Sequence, residues 1–214
     1  MSKLQVSTFI RRKMDHMWNR SGKLILTFDD WNDADPYIAT RTGSYLQSEG
    51  ITAVFFLINQ KAQDYPDIIE TLRQQGHYVA SHSYSHARLT ELSDEELENE
   101  ILRGINCNAL RPPYSAWDAR VYKAAQRLGY RLMLWTVSTG DWREDEDGFR
   151  SVELIREAVR VADPSKKDNG VIIGHLHTNY PAAIPGIIED MRAKGREFYP
   201  NKGPVGVDLP AEFI

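Results

Sequence analysis

Short apolar runs alternate with amphipathic stretches along most of the chain. Residues 23–28 (KLILTF), 52–58 (TAVFFLI), 77–81 (HYVAS) and 170–175 (GVIIGH) are apolar almost throughout. That pattern suits strands covered on both faces. Residues 108–111 (NALR), 130–137 (YRLMLWTV) and 196–199 (REFY) read as further strands. Between the runs, residues 35–50, 65–76, 93–104, 118–129, 151–162 and 184–195 carry helical spacing, and Gly50, Gly76 and Gly129 close three of them. Ser93, with Glu96 three residues on, forms a capping box and marks a helix start.

Strand and helix in strict alternation, with short connections, predict parallel pairing and right-handed crossovers. Six or seven such units suit a closed or nearly closed barrel better than an open sheet. A chain of 214 residues with 42% hydrophobic content supports one sizeable core. The expected organisation is an N-terminal segment over 1–20 and one domain over 21–214. Within the first segment Ile10, Met14, Met17 and Trp18 fall at helical spacing, which predicts a short docked helix.

Charge and the termini narrow the classes. The net charge is −4 and no basic block occurs, so nucleic acid is not an expected partner. No apolar run is long enough for a membrane span, and the first 20 residues lack the apolar stretch of a secretory leader. A cytoplasmic chain is the expectation; secretion would require a leader outside this sequence. The single cysteine, Cys107, excludes an internal disulfide framework.

In parallel strand–helix folds, chemistry gathers where strands end. The first strand ends in Asp29-Asp30, the third in His82 with His86 four residues on, and the fourth in Arg111-Pro112-Pro113-Tyr114. The fifth runs out to Asp141-Trp142 and the sixth ends in His175, with His177 beyond it. Five strands thus deliver acid, imidazole and guanidinium to one rim. His82 and His86 can face one metal, and a carboxylate from Asp29 or Asp30 completes three ligands, leaving a tetrahedral ion one open position. The other acid of the pair then serves as a general base, with the cation and Arg111 offsetting the repulsion between neighbours.

TFDD, HSYSH, RPPY, STGDW and VIIGH, in that order over roughly residues 23 to 200, resemble the five motifs of the polysaccharide deacetylases, carbohydrate esterase family four. The resemblance implies an α/β fold, a distorted, incomplete (β/α)7 barrel, with a divalent metal ion, usually Zn2+, and Co2+, Ni2+ or Mn2+ as alternatives. It implies that Asp29 is the catalytic base and that Asp30, His82 and His86 are the metal ligands. Arg111 would orient Asp29, and the backbone N–H of Tyr114 would donate to the oxyanion. His175 would be the general acid, tuned by Asp141, with Trp142 as an aromatic wall and Ile173 lining an acetyl pocket. The implied reaction is removal of N-acetyl groups from amino sugars, the GlcNAc units of chitin oligomers or peptidoglycan.

Several positions depart from the family pattern. Trp31 stands where glycine is usual, Ser81 precedes the first histidine, Ser138 replaces an acid and Leu176 follows His175. Trp31, Tyr84, Trp117 and Tyr180 are candidate sugar-stacking aromatics. Two other readings stay open at this stage. One is an amide or formamide hydrolase of the same fold acting on a small non-sugar substrate. The other is a non-catalytic metal- or glycan-binding module.

Overall fold

The computed structural model describes residues 19–213 other than Asp147. The expected N-terminal helix over 1–20 therefore falls almost wholly outside the described residues. Seven strands form one parallel sheet: β1 (Ile25–Asp30), β2 (Ala53–Leu57), β3 (Tyr78–Ser81), β4 (Ala109–Leu110), β5 (Arg131–Leu132), β6 (Val137–Ser138) and β9 (Val171–His175). Their spatial order is β5-β4-β3-β2-β1-β9-β6. A separate antiparallel hairpin joins β7 (Glu144–Asp145) to β8 (Gly148–Phe149). Its polar, acid-rich sequence has no apolar alternation to announce it.

The sheet is strongly curled, and chain length shows it. β5 and β6 lie on opposite edges, yet only residues 133–136 separate them. Five Cα steps span at most about 18 Å, whereas a flat sheet of seven strands would be about 29 Å across at ~4.8 Å per strand. The edges must therefore approach one another, as in a half-barrel that stops short of closure. This corrects the reading of 130–137 as one strand. Its middle leaves the sheet after the Met133 N–H donates to the Leu110 carbonyl, and Arg111 takes the carbonyls of Met133 (Nε, 2.9 Å) and Leu134 (Nη2, 3.0 Å) instead of a neighbouring strand. The run at 196–199 likewise contributes only an isolated bridge, Leu24 to Phe198.

Strand alternation separates two packed layers. Leu26, Phe28, Phe55, Leu57 and Ile172 face one core, and Ile25, Val54, Phe56 and Val171 face the other. Phe28 stacks on Phe55 with centroids 4.8 Å apart. Truncating such a residue to alanine would cost about 3–5 kcal/mol. Thr27, Asp29, Arg111 and His82 are also buried, so the strand ends carry polar groups into the interior.

The helices form where their caps predict. Ser93 accepts from the Glu96 N–H while the Glu96 carboxylate accepts from the Ser93 N–H, opening helix Asp94–Leu102. Asp118 accepts from the backbone of Arg120 and Val121 and opens helix Ala119–Arg127. Gly76 follows helix Pro66–Gln74 in the left-handed region (φ 83°), the usual stop for a helix. The last helix begins at Tyr180, four residues earlier than the spacing suggested, and keeps Pro185 within it. Its first residue explains Gly174: a Cβ there would lie 2.1 Å from the Tyr180 ring.

Candidate active site

β1 and β9 are neighbours, and Asp29 lies in register with His175. Two inward-facing residues at the ends of adjacent strands thus share one wall. β1 ends with Asp30 in a left-handed conformation (φ 72°), which turns its carboxylate toward the ends of β2 and β3. There it meets the histidines of the loop after β3. Nε2 of His82 lies 3.2 Å from Asp30 Oδ1, and Nε2 of His86 lies 3.1 Å from the same oxygen. The loop is held by Ser83, whose hydroxyl accepts from the His86 N–H at 3.2 Å.

The donor and acceptor pattern around these atoms points to a cation. Nδ1 of His82 faces the Arg111 carbonyl at 2.7 Å. A carbonyl only accepts, so Nδ1 carries the proton and neutral His82 presents a lone pair at Nε2. Nδ1 of His86 faces the Tyr114 hydroxyl at 3.1 Å, so its Nε2 is also directed inward. Asp30 Oδ1 is buried with no hydrogen-bond partner. Ligand atoms of Asp30, His82 and His86 all lie within 4.8 Å of one another. Three converging lone pairs fit a divalent ion with one carboxylate and two imidazole ligands. Burial alone would raise the Asp30 carboxyl, but the neighbouring His82 and His86 imidazoles prevail and hold it far below the usual carboxylate range.

Asp29 is differently placed. It is buried, with Oδ1 2.5 Å from Nη1 of Arg111 and Oδ2 3.9 Å from Nε2 of His82. Arg111 is fully buried and spends three of its four remaining donors on Thr27 Oγ1 (2.8 Å) and the two crossing-segment carbonyls. Its guanidinium also lies 4.0 Å from the centroid of the Phe56 ring. Such a clamp fixes one carboxylate oxygen and leaves the other toward the pocket.

A second carboxylate–imidazole unit stands opposite. Asp141 is buried and accepts from the Thr139 hydroxyl (2.8 Å), the Thr178 hydroxyl (2.6 Å) and the His175 N–H (2.7 Å). His175 Nδ1 sits 3.0 Å from Asp141 Oδ1, so Nε2 is the nitrogen left for the pocket. Burial would lower the His175 pKa, but the hydrogen bond and charge of Asp141, with smaller contributions from Asp29 and Asp30, raise it to about 9.

Asp29, Asp30, His82, His86 and His175 line a cavity of about 400 Å³ together with Tyr114, Ser115, Trp135, Trp142, Ile173 and His177, while Arg111 and Asp141 stand behind its wall. Trp142 and Tyr114 are more than half exposed on its rim. Every residue of the base, acid and ligand set expected from the sequence is thus brought together. The stacking candidates fare otherwise. The turn at Asp30 sends Trp31 into the core, where it packs 5.5 Å from Tyr65. Trp117 and Tyr180 are core residues too, and Tyr84 lies against Arg103, 3.6 Å from ring centroid to guanidinium. None of the four lines the cavity. Trp135 does, and sequence reasoning missed it because it sat inside a run taken for a strand. His177, just beyond the end of β9, lies 3.5 Å from Asp30 Oδ2.

Comparison with known proteins places this geometry. The family model described as polysaccharide deacetylase matches residues 19–133. A peptidoglycan-N-acetylglucosamine deacetylase of Bacillus cereus is 29% identical over 204 residues, covering 89% of this chain and 68% of that protein. One from Listeria monocytogenes is 25% identical over 186 residues; the match covers 82% of this chain but only 37% of that longer protein. The solved Bc1960 peptidoglycan N-acetylglucosamine deacetylase superposes with a TM-score of 0.74 at 24% identity, covering 91% of this chain and 89% of that one. With more than half of its length matched by the family model, and with a half-barrel to correspond, this chain belongs to the polysaccharide deacetylase family.

Proposed function

We propose that this chain hydrolyses the N-acetyl group of N-acetylglucosamine units in chitin oligomers or peptidoglycan. One observation carries the reading: an arginine-clamped carboxylate and a carboxylate-backed imidazole face one cavity beside a three-ligand metal cluster. Amide hydrolysis needs a base for water, donors for the oxyanion and a proton for a poor leaving group. The chain has a candidate for each.

Asp30, His82 and His86 would hold the ion, and zinc suits a set of two nitrogens and one oxygen. Bound there, it supplies Lewis acidity that makes water acidic near neutral pH and polarises an acyl oxygen. Asp29 takes the proton from the attacking water on Oδ2, because Arg111 occupies Oδ1. The Tyr114 N–H lies outside the two hydrogen bonds of its turn, which run from Ser115 to Pro112 and from Ala116 to Pro113. It donates to the oxyanion. His175, protonated at neutral pH by virtue of Asp141, delivers a proton from Nε2 to the departing amine. Ile173 forms an apolar contact for the acetyl methyl, and Trp142 offers a ring face to the sugar.

Acetate release from N-acetylglucosamine oligomers, compared between chelator-treated and zinc-loaded protein, tests the proposal. Zinc-dependent acetate is the expected result. A zinc-loaded protein that releases none would sink it, and release of acid from formamides or other small amides instead would transfer the same residues to a non-sugar substrate.

A further inference from the structure

Tyr114 holds a backbone conformation that needs explaining. It is left-handed (φ 57°, ψ 15°), as is Ser115 after it (φ 53°). Non-glycine residues keep such geometry only where their surroundings over-determine it. Burial does not do so here, because Tyr114 is 59% exposed. Two polar contacts do. The phenol oxygen lies 3.1 Å from Nδ1 of His86, with the rings 4.6 Å apart. The guanidinium of Arg88 sits 4.7 Å from the ring centroid and fixes the ring from its face.

A histidine that directs Nε2 at a cation must carry its proton on Nδ1, and that N–H needs an acceptor. His82 finds a main-chain carbonyl. His86 finds the phenol. We propose that Tyr114 is a positioning residue for His86: its Oη accepts from Nδ1–H and holds the ring in the tautomer and plane that aim Nε2 at Asp30 Oδ1. This inference rests on the reading of Asp30, His82 and His86 as a metal site. One strained residue then serves two ends. Its main chain faces the acyl oxygen, and its side chain sets a ligand of the ion.

Tyr114→Phe tests this, since it keeps the ring, the Arg88 contact and the backbone and removes only the acceptor. Zinc affinity is measured by chelator competition, and nitrogen NMR reads the His86 ring. The variant should bind zinc roughly 10–100-fold more weakly, and the Nδ1–H of its zinc-bound His86 should lose the signature of a hydrogen bond to the phenol. Tyr122→Phe, which removes a phenol that accepts from Gln126 on helix Ala119–Arg127, should change neither reading. Unchanged affinity and ring shifts in Tyr114→Phe overturn the proposal. So does zinc bound through Nδ1 of His86, read by nitrogen NMR in the unaltered chain, a test that needs no variant. If the unaltered chain binds no zinc, the metal reading itself falls and this inference with it.

Discussion

Replacing Arg111 by methionine isolates the buried clamp. Arg111 and Asp29 are 0% and 2% exposed and meet at 2.5 Å, so Arg111→Met strands a carboxylate in a nearly dry interior. Breaking one side of a buried pair costs about 3–5 kcal/mol. The Met133 and Leu134 carbonyls lose their donors as well, at about 1–3 kcal/mol for each left unsatisfied, which pushes the loss to the upper part of that range. For a chain of 150–250 residues, 1 kcal/mol moves Tm by about 2–4 °C, so the fall should be about 10–20 °C. Urea unfolding at neutral pH in chelator, where no bound cation offsets Asp29, reads the loss directly. The cycle with Asp29→Asn identifies its cause. Removing both charges should recover about 1–3 kcal/mol relative to the sum of the single losses. A single variant within about 1 kcal/mol of the parent, or a double variant that loses the full sum, would refute the account of the clamp.

Asp29→Asn itself should retain zinc by elemental analysis while turnover drops by about 10²–10⁴-fold; retained turnover would dismiss Asp29 as the base. His82→Ala and His86→Ala should each lower zinc content, and full occupancy in either would break the ligand set. In metal-free protein, NMR titration should place His175 near pH 9, and Asp141→Asn should bring it down toward 6.5. Because the folded pKa lies above the ordinary value, the stability His175 contributes is fully present below pH 6.5 and is lost as pH rises through about 9. A midpoint already near 6.5 in the unaltered chain would contradict the Asp141 pairing.

The sequence displays the site more openly than it displays the architecture around it. Asp29, His82, Arg111, Asp141 and His175 are legible because parallel strands must surrender their ends to one rim, and apolar runs mark where the ends fall. The halting of residues 133–136 is not legible. Nothing local in YRLMLWTV shows that a side chain some twenty residues upstream takes two of its carbonyls. The aromatic candidates failed for a related reason. Trp31 and Trp142 each follow an acid at a strand exit, but a left-handed Asp30 buries one, while the other stays exposed. Backbone handedness at one residue decides between core and rim, and composition does not encode it. Thr139 and Thr178 were overlooked because hydroxyls on loops are common. Only their convergence on Asp141 distinguishes them.

The span between Asp29 and its clamp also imposes a timetable on the growing polypeptide. Arg111 follows Asp29 by 82 residues, and the Met133 and Leu134 carbonyls that seat its guanidinium come 22 and 23 residues later still. At roughly 5–20 residues per second, a nascent chain carries Asp29 on the order of 4–16 seconds before its counter-charge has even been made. Throughout that interval the acid pair is better left hydrated, so β1 has reason to stay open to water instead of collapsing early into an apolar nucleus. Desolvating the reaction centre with its charge paired therefore requires the downstream half of the chain.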